Sequence, residues 1–318
     1  MRRKNGRRRR SEKNKMIPAL IAVTFLLIVA VCAVIQGDAI LDFLEDFTKP
    51  AVKDVDVSGL NSPNAVLISA KGGRVIGEEN AKERIYPASL TKMMTAILTL
   101  EKRKLSDEIT FPTEIFDLLV GSDASQAGYQ PGEIVPVKDV VYGILLPSGA
   151  DCCLAAAFDI AGSEEAFAEL MNKKAQRIGM KDTHFVNSTG LHDEEHYSTA
   201  YDMALLLKYC LKNKTFREVI TAHHYSTGAT NLHPDGITVY STMWKSLSSG
   251  EVTGGQIMGG KTGFTNAAGH CLASFAEIDG REYILVTAGA SGESGEPLHI
   301  YDAVTVYNRV GEAAAERT

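Results

Sequence analysis

The stretch ERIYPASLTKMMTAILTLEK, Glu83 to Lys102, decides how the chain is read. Leu90, Met93, Met94, Ile97 and Leu98 fall at i, i+3, i+4, i+7 and i+8. That spacing turns one apolar face of a helix toward a core. Pro87 suits the entry point, since a proline costs nothing in a first turn. The same helix opens with a serine and a lysine three positions apart, Ser89 and Lys92. Residues at i and i+3 share a helical face. A serine hydroxyl is a weak nucleophile until a neighbour accepts its proton. A lysine can accept it if burial or a second positive charge lowers its pKa. A helix N-terminus also leaves N–H groups free to hold an oxyanion. Taken alone, the four residues equally describe an N-cap serine and a surface lysine.

Working outward, NAVLISAKGGRVIGEEN (residues 64–80) has two apolar runs flanking Gly72-Gly73, a hairpin signal. HCLASFAEIDGREYILVTAGA (270–290) predicts a second strand pair about Asp279-Gly280. Between them the pattern is mostly helical, as in VKDVVYGILL, DCCLAAAFDIAG, SEEAFAELMNKKAQRIG and STAYDMALLLKYCLKN. IYDAVTVYNRVGEAAAE (300–316) predicts a terminal helix. Strands early, helices in the middle and strands late predict an α/β body: one sheet whose first and last parts meet, with helices around it. No internal repeat is present.

Hydrophobic content of 45% and charged content of 23% in 318 residues are those of a globular protein able to bury a sizeable core. Net charge is distributed unevenly. Residues 1–15 hold nine Lys/Arg and one Glu, which leaves 24 basic and 38 acidic residues, a net charge of −14, in the remainder. So acidic a body repels phosphates and argues against a nucleic-acid partner. After the basic tail comes MIPALIAVTFLLIVAVCAVI (16–35), with no charge. About 20 apolar residues cross a bilayer as a helix, whereas a cleaved signal has a shorter apolar core. The sequence therefore favours an uncleaved transmembrane anchor over residues 16–36. Basic residues beside a span stay on the cytoplasmic side. The expected organisation is a cytoplasmic tail (1–15), the anchor, a juxtamembrane linker (37–61), an extracytoplasmic domain (62–312) and a short tail (313–318). The lipoprotein alternative rests on Cys32, but apolar residues continue past it. Cys152, Cys153, Cys210 and Cys271 have no disulfide-framework spacing and read as small apolar core residues.

Two further motifs follow Ser89-Leu90-Thr91-Lys92. LLPSGAD places Ser148-Gly149-Ala150 between two helical runs, and GGKTGFTNAAGHCL places Lys261-Thr262-Gly263 before a strand. Ser-x-x-Lys, then Ser-x-Asn, then Lys-Thr-Gly, in that order, is the signature of penicillin-binding proteins and serine β-lactamases. With YPASLTKMMTA, MNKKAQRIGMKDTHFVNSTGLHD and HYSTAYDMALL, the chain resembles the D-alanyl-D-alanine carboxypeptidases. These are the low-molecular-weight penicillin-binding proteins of serine peptidase family S11. The resemblance covers roughly residues 62–310. It implies an antiparallel sheet flanked by helices, with an all-helical insert. It implies Ser89 as nucleophile, Lys92 as its base and Ser148 as a proton relay to the leaving D-alanine. Lys261 and Thr262 hold the substrate carboxylate, and the N–H groups of Ser89 and Phe264, beside Gly263, form the oxyanion hole. The implied substrate is the peptidoglycan stem peptide, and the implied inhibitors are β-lactams. No cofactor or metal is implied.

Two positions depart from the family pattern. Ala150 stands where the second motif has Asn, which removes a positioning hydrogen bond worth about 1–3 kcal/mol, roughly ten- to a hundredfold in rate. Asp151 follows it but points about 100° away on a helix, so it is no substitute. His299 stands where the family often has an Arg facing the carboxylate. Ala150 supports an alternative, a catalytically weak or inactive scaffold of the same fold. A second alternative is a β-lactamase. That class needs a carboxylate for deacylation, usually in E-x-x-L-N, and Glu169-Leu170-Met171-Asn172 does not fit. HDEEH, His192 to His196, matches a zinc-peptidase pattern. It follows a turn-like stretch and precedes Ser198, a plausible cap of the next helix, so it does not read as one helical face.

Overall fold

The computed structural model describes residues 52–292 and 296–316. The basic tail, the anchor over 16–36 with Cys32, and the first part of the 37–61 linker lie outside the described residues. Among the described residues no helix is long and apolar enough to cross a membrane.

The hairpin signal about Gly72-Gly73 becomes β1 (Asn64–Ser69) and β2 (Val75–Glu79). A 3₁₀ turn, Ala88–Thr91, leads into α1 (Lys92–Lys102). Next come β3 (Glu108–Thr110), α2 (Glu114–Asp117), β4 (Ile134–Pro136), α3 (Val137–Leu145), α4 (Ala150–Ala161), α5 (Glu164–Ile178), α6 (Ala200–Cys210) and α7 (Lys214–Thr221). The chain continues through β5 (His224–Ser226), β6 (Thr238–Tyr240), α8 (Thr242–Ser246) and β7 (Glu251–Val252). It closes with β8 (Gly255–Thr265), β9 (Gly269–Ile278), β10 (Arg281–Ala290) and α9 (Leu298–Ala315).

The main sheet has the order β2-β1-β10-β9-β8-β7, and each neighbouring pair is antiparallel. The first and last strands of the chain meet as the pattern predicts: Val66 lies opposite Val286, and Ile68 opposite Ile284. Alternation along each strand sends side chains to opposite faces. Val66, Ile68, Phe275, Ile284 and Val286 pack under the helices of the long middle segment. Ala65, Leu67, Leu272, Ala276 and Leu285 face α9, which buries Ile300, Val306, Tyr307 and Val310. The result is a sheet covered on both faces. Fully burying a large apolar side chain stabilises by about 1.5–3 kcal/mol, so both layers contribute substantially.

Several expectations shift in detail. Ser89 lies in the 3₁₀ turn, one turn before the α-helix begins at Lys92. Eclipsing of i and i+3 in that geometry draws Ser89 and Lys92 together more closely than an α-turn does. Lys261-Thr262-Gly263 lies within β8 rather than before it. Thr199, not Ser198, caps α6, its hydroxyl accepting from Asp202 N. Residues 52–61 pack onto the body: Val52, Val55 and Val57 are buried, and Val55 N donates to Ile76 O at 2.9 Å. Cys152, Cys153, Cys210 and Cys271 are free thiols, all buried.

Candidate active site

The turn that carries Ser89 is strained. Ala88 before it has φ +46°, a left-handed value that disfavours a side chain. Gly190 explains how that backbone is held. Its own φ is +81°, and a Cβ there would sit 1.9 Å from Ala88 O, so only glycine lets the two segments touch. Ser148 likewise has φ +66°. Left-handed non-glycine residues cost on the order of 1–3 kcal/mol and persist where surrounding structure forces them.

Lys92 Nζ lies 3.1 Å from Ser89 Oγ and donates to Thr189 O at 2.6 Å. The lysine is 2% exposed, whereas Ser89 is only half-buried and open to a reactant. Burial pushes the Lys92 ammonium below its ordinary value, against weaker opposing pulls from Cys153, Asp151 and Glu164. The Thr189 carbonyl is fixed by its own loop. Asn187 Oδ1 accepts from Gly190 N at 2.7 Å and from Thr189 N and Oγ1 at 3.2 Å each. Glu164 Oε1 accepts from Ser188 N and Oγ, and Thr95 Oγ1 of α1 donates to Ser188 O.

Lys261 comes from the centre of the sheet and is wholly buried. Its Nζ donates to Ser148 Oγ at 3.0 Å and to Thr262 O at 2.7 Å. Burial, then the positive charge of Lys92, holds it well below the usual lysine range. The two lysines and two serines thus bring α1, the α3–α4 connection and β8 to one place. Gly263 closes it: a Cβ there would lie 3.0 Å from Ser89 N, so β8 runs directly against the serine's amide. Phe264 follows, half-buried, opposite His270 of β9.

Thr262 Oγ1 lies 2.6 Å from Thr242 Oγ1, and Thr242 N donates to Leu146 O. Thr242 therefore ties β8 to the loop that carries Ser148. His299 lies in the first turn of α9, 6% exposed, and its ring stacks on His270 at 5.1 Å. Ala150 is fully buried, and its N–H donates to Ser125 O at 2.7 Å. Asp151 points the other way, as expected. Its carboxylate accepts from the N–H groups of Ala127, Gly128 and Tyr129, pinning the 125–129 loop.

The HDEEH segment is not helical. His196 is buried and spent on the fold: Nε2 contacts Thr91 Oγ1 at 2.8 Å, and Nδ1 accepts from Val186 N. Burial pushes its pKa down to about 4, so it is a neutral hydrogen-bonding residue behind the Ser89 turn. Glu169 pairs with Lys173 on the exposed face of α5. Sequence reasoning assigned no role to Thr189, Asn187, Thr242 or His270. Thr189 acts through a backbone carbonyl, which leaves no residue-type signal.

A family model for D-alanyl-D-alanine carboxypeptidases, peptidase S11, matches residues 51–292. The chain is 35% identical over 250 residues to the D-alanyl-D-alanine carboxypeptidase DacF of Bacillus subtilis, covering 77% of this chain and 61% of that protein. It is 32% identical over 282 residues to DacA of Escherichia coli, with 83% and 64% covered. The chain therefore spans less than two thirds of the length of these curated relatives. Among solved structures, the Streptomyces K15 DD-transpeptidase is similar with a TM-score of 0.70 at 25% identity, covering 81% of this chain and 98% of that one.

Proposed function

The chain belongs to the S11 family of D-alanyl-D-alanine carboxypeptidases, and on that premise we propose that it removes the terminal D-alanine from peptidoglycan pentapeptides through an acyl-enzyme at Ser89. The observation that carries this reading is the half-buried Ser89 Oγ, 3.1 Å from a buried Lys92 held by Thr189 O. Burial keeps Lys92 ready to be neutral, so it takes the Ser89 proton as Oγ attacks the D-Ala-D-Ala carbonyl. The N–H groups of Ser89 and Phe264 hold the developing oxyanion. Ser148, coupled to Lys261, passes a proton to the nitrogen of the departing D-alanine. Lys261 and Thr262, with His299, receive the terminal carboxylate. Water then hydrolyses the ester, and the serine regains its proton.

β-Lactams mimic the same dipeptide and acylate Ser89. The domain works on the extracytoplasmic face, tethered through residues 16–36. The test is labelling with a fluorescent penicillin, followed by peptide mapping. A single adduct on Ser89 is expected, and no adduct on a folded protein overturns the reading.

Ala150 favours one other reading, a fold that has lost efficient turnover. Both lysines are nevertheless held by groups other than residue 150: Thr189 O for Lys92, and Ser148 Oγ with Thr262 O for Lys261. That supports a site built to work with alanine.

A further inference from the structure

The two ends of the site differ in how completely their polar atoms are used. His299 Nδ1 is buried and finds no hydrogen-bond partner among the described residues. A buried polar atom without a partner costs about 1–3 kcal/mol, and the charge of Lys261 on β8 acts on this ring. Its ring lies nearly parallel to His270, with 6° between the planes. His270 in turn lies opposite Phe264 across the β8–β9 ladder, and their rings are 4.6 Å apart.

Among the described residues, the titratable groups acting on His299 come from three elements. Lys261 belongs to β8, His270 to β9 and Asp302 to α9 itself. Burial lowers the His299 pKa most, His270 and Lys261 lower it further, and among the described residues Asp302 alone opposes them, leaving it at about 4. Asp302 is already engaged: its carboxylate accepts from the N–H groups of Asn61 and Ser62, from Asn61 Nδ2 and from Ser62 Oγ. His299 is therefore neutral at neutral pH in the free protein, and an anion brought beside it reverses the balance.

We propose that the His270–His299 stack makes carboxylate binding proton-linked, so that the substrate's terminal carboxylate binds together with one proton, taken from solvent and held on His299. This rests on the functional reading above. A permanently charged side chain at 299 would bind the same carboxylate without the proton. The sign follows from linkage. The complex holds more protons than the free protein, so affinity rises as pH falls, by at most about tenfold per pH unit. It levels off near the free His299 value. Acylation itself runs the other way, because Lys92 must be neutral to act as a base.

The test is calorimetry on the full chain carrying Ser89→Ala, with a D-Ala-D-Ala-terminated peptide, in two buffers of different ionisation enthalpy. Proton uptake at pH 7 and affinity that weakens from pH 6 to pH 8 are expected. Adding His299→Arg should give binding that is flat with pH and free of uptake, and adding His299→Gln should abolish uptake. Uptake that persists in His299→Gln places the proton on another group, such as His270 or Lys261, and overturns the proposal. So does binding by Ser89→Ala that is flat with pH, which needs no variant at 299 to fold. Penicillin labelling of Ser89 in the unsubstituted chain separates the two layers. Labelling with pH-independent peptide binding refutes the proton link alone, whereas neither labelling nor binding refutes the link and the functional reading together.

Discussion

The proposed nucleophile end and the proposed carboxylate end of the site each bury a lysine, and they hold it differently. Lys92 sits at the first turn of a helix, bound to a carbonyl from a loop that Asn187, Glu164 and Thr95 brace, with Asp151 and Glu164 near enough to favour its charge. Lys261 sits mid-strand, bound to a serine and to its own strand's carbonyl, with no carboxylate among the described groups that act on its charge. At that same end His299 leaves a nitrogen without a partner. The first end is satisfied from within the protein and suits chemistry on a neutral amide. At the second, burial lowers the pKa of both Lys261 and His299, a shift that an incoming anion would offset.

The comparison can be broken first at Lys92. Lys92→Met keeps most of the length and the apolar stem of the side chain and removes the proposed base. Acylation by penicillin should fall by about 10²–10⁴-fold, the usual range for one acid–base group, with the fold retained by circular dichroism. A loss under tenfold would move the base elsewhere.

The brace of the nucleophile end is tested next. Gly190→Ala forces a Cβ against Ala88 O at a left-handed backbone. It should cost roughly 2–4 kcal/mol of stability in denaturant unfolding. Acylation should slow with it, because the Ser89 turn and Thr189 O move together.

Acid sensitivity sharpens the contrast between the two buried histidines. His196 and His299 both sit at about 4 in the fold, below the ordinary 6.5. Between those values the unfolded chain binds more protons than the folded one, so stability is full above pH 6.5 and falls as pH drops toward 4. Each histidine contributes on the order of 3 kcal/mol. For His299 the proposed proton link predicts that a bound peptide protects against this loss, while His196, which already has its partners, gains nothing. Melting temperatures from pH 7 to pH 4.5, with and without peptide, check this.

The smallest effect is expected at Ala150. Since neither lysine depends on residue 150, Ala150→Asn should change D-alanine release by less than about tenfold. A rise well beyond that, from a low baseline, would favour the decayed-scaffold reading.

Much of this was legible in the chain. Apolar runs flanking Gly72-Gly73 and Asp279-Gly280 marked four strands, and the Leu90–Leu98 spacing marked α1, although the fold buries every residue of that helix from Lys92 to Thr99. Ser89, Lys92, Ser148 and Lys261 were legible as motif residues, and the fold brings all four together. What was not legible is carried by backbone and by tertiary contact. Thr189 contributes a carbonyl, Ala88 and Ser148 contribute left-handed backbones, and Gly190 matters for what it lacks. His270 sits beside His299 only because β9 packs against α9. HDEEH carried a misleading ligand spacing; His196 is a hydrogen-bonding partner of Thr91.

The most direct test of the account is D-alanine release by the full chain in detergent from a peptide ending in D-Ala-D-Ala, measured beside Ser89→Ala. The account predicts release by the unsubstituted protein and a loss of at least about 10³-fold in Ser89→Ala. Equal release by both proteins, or none from a folded protein whose Ser89 takes no penicillin, would contradict it.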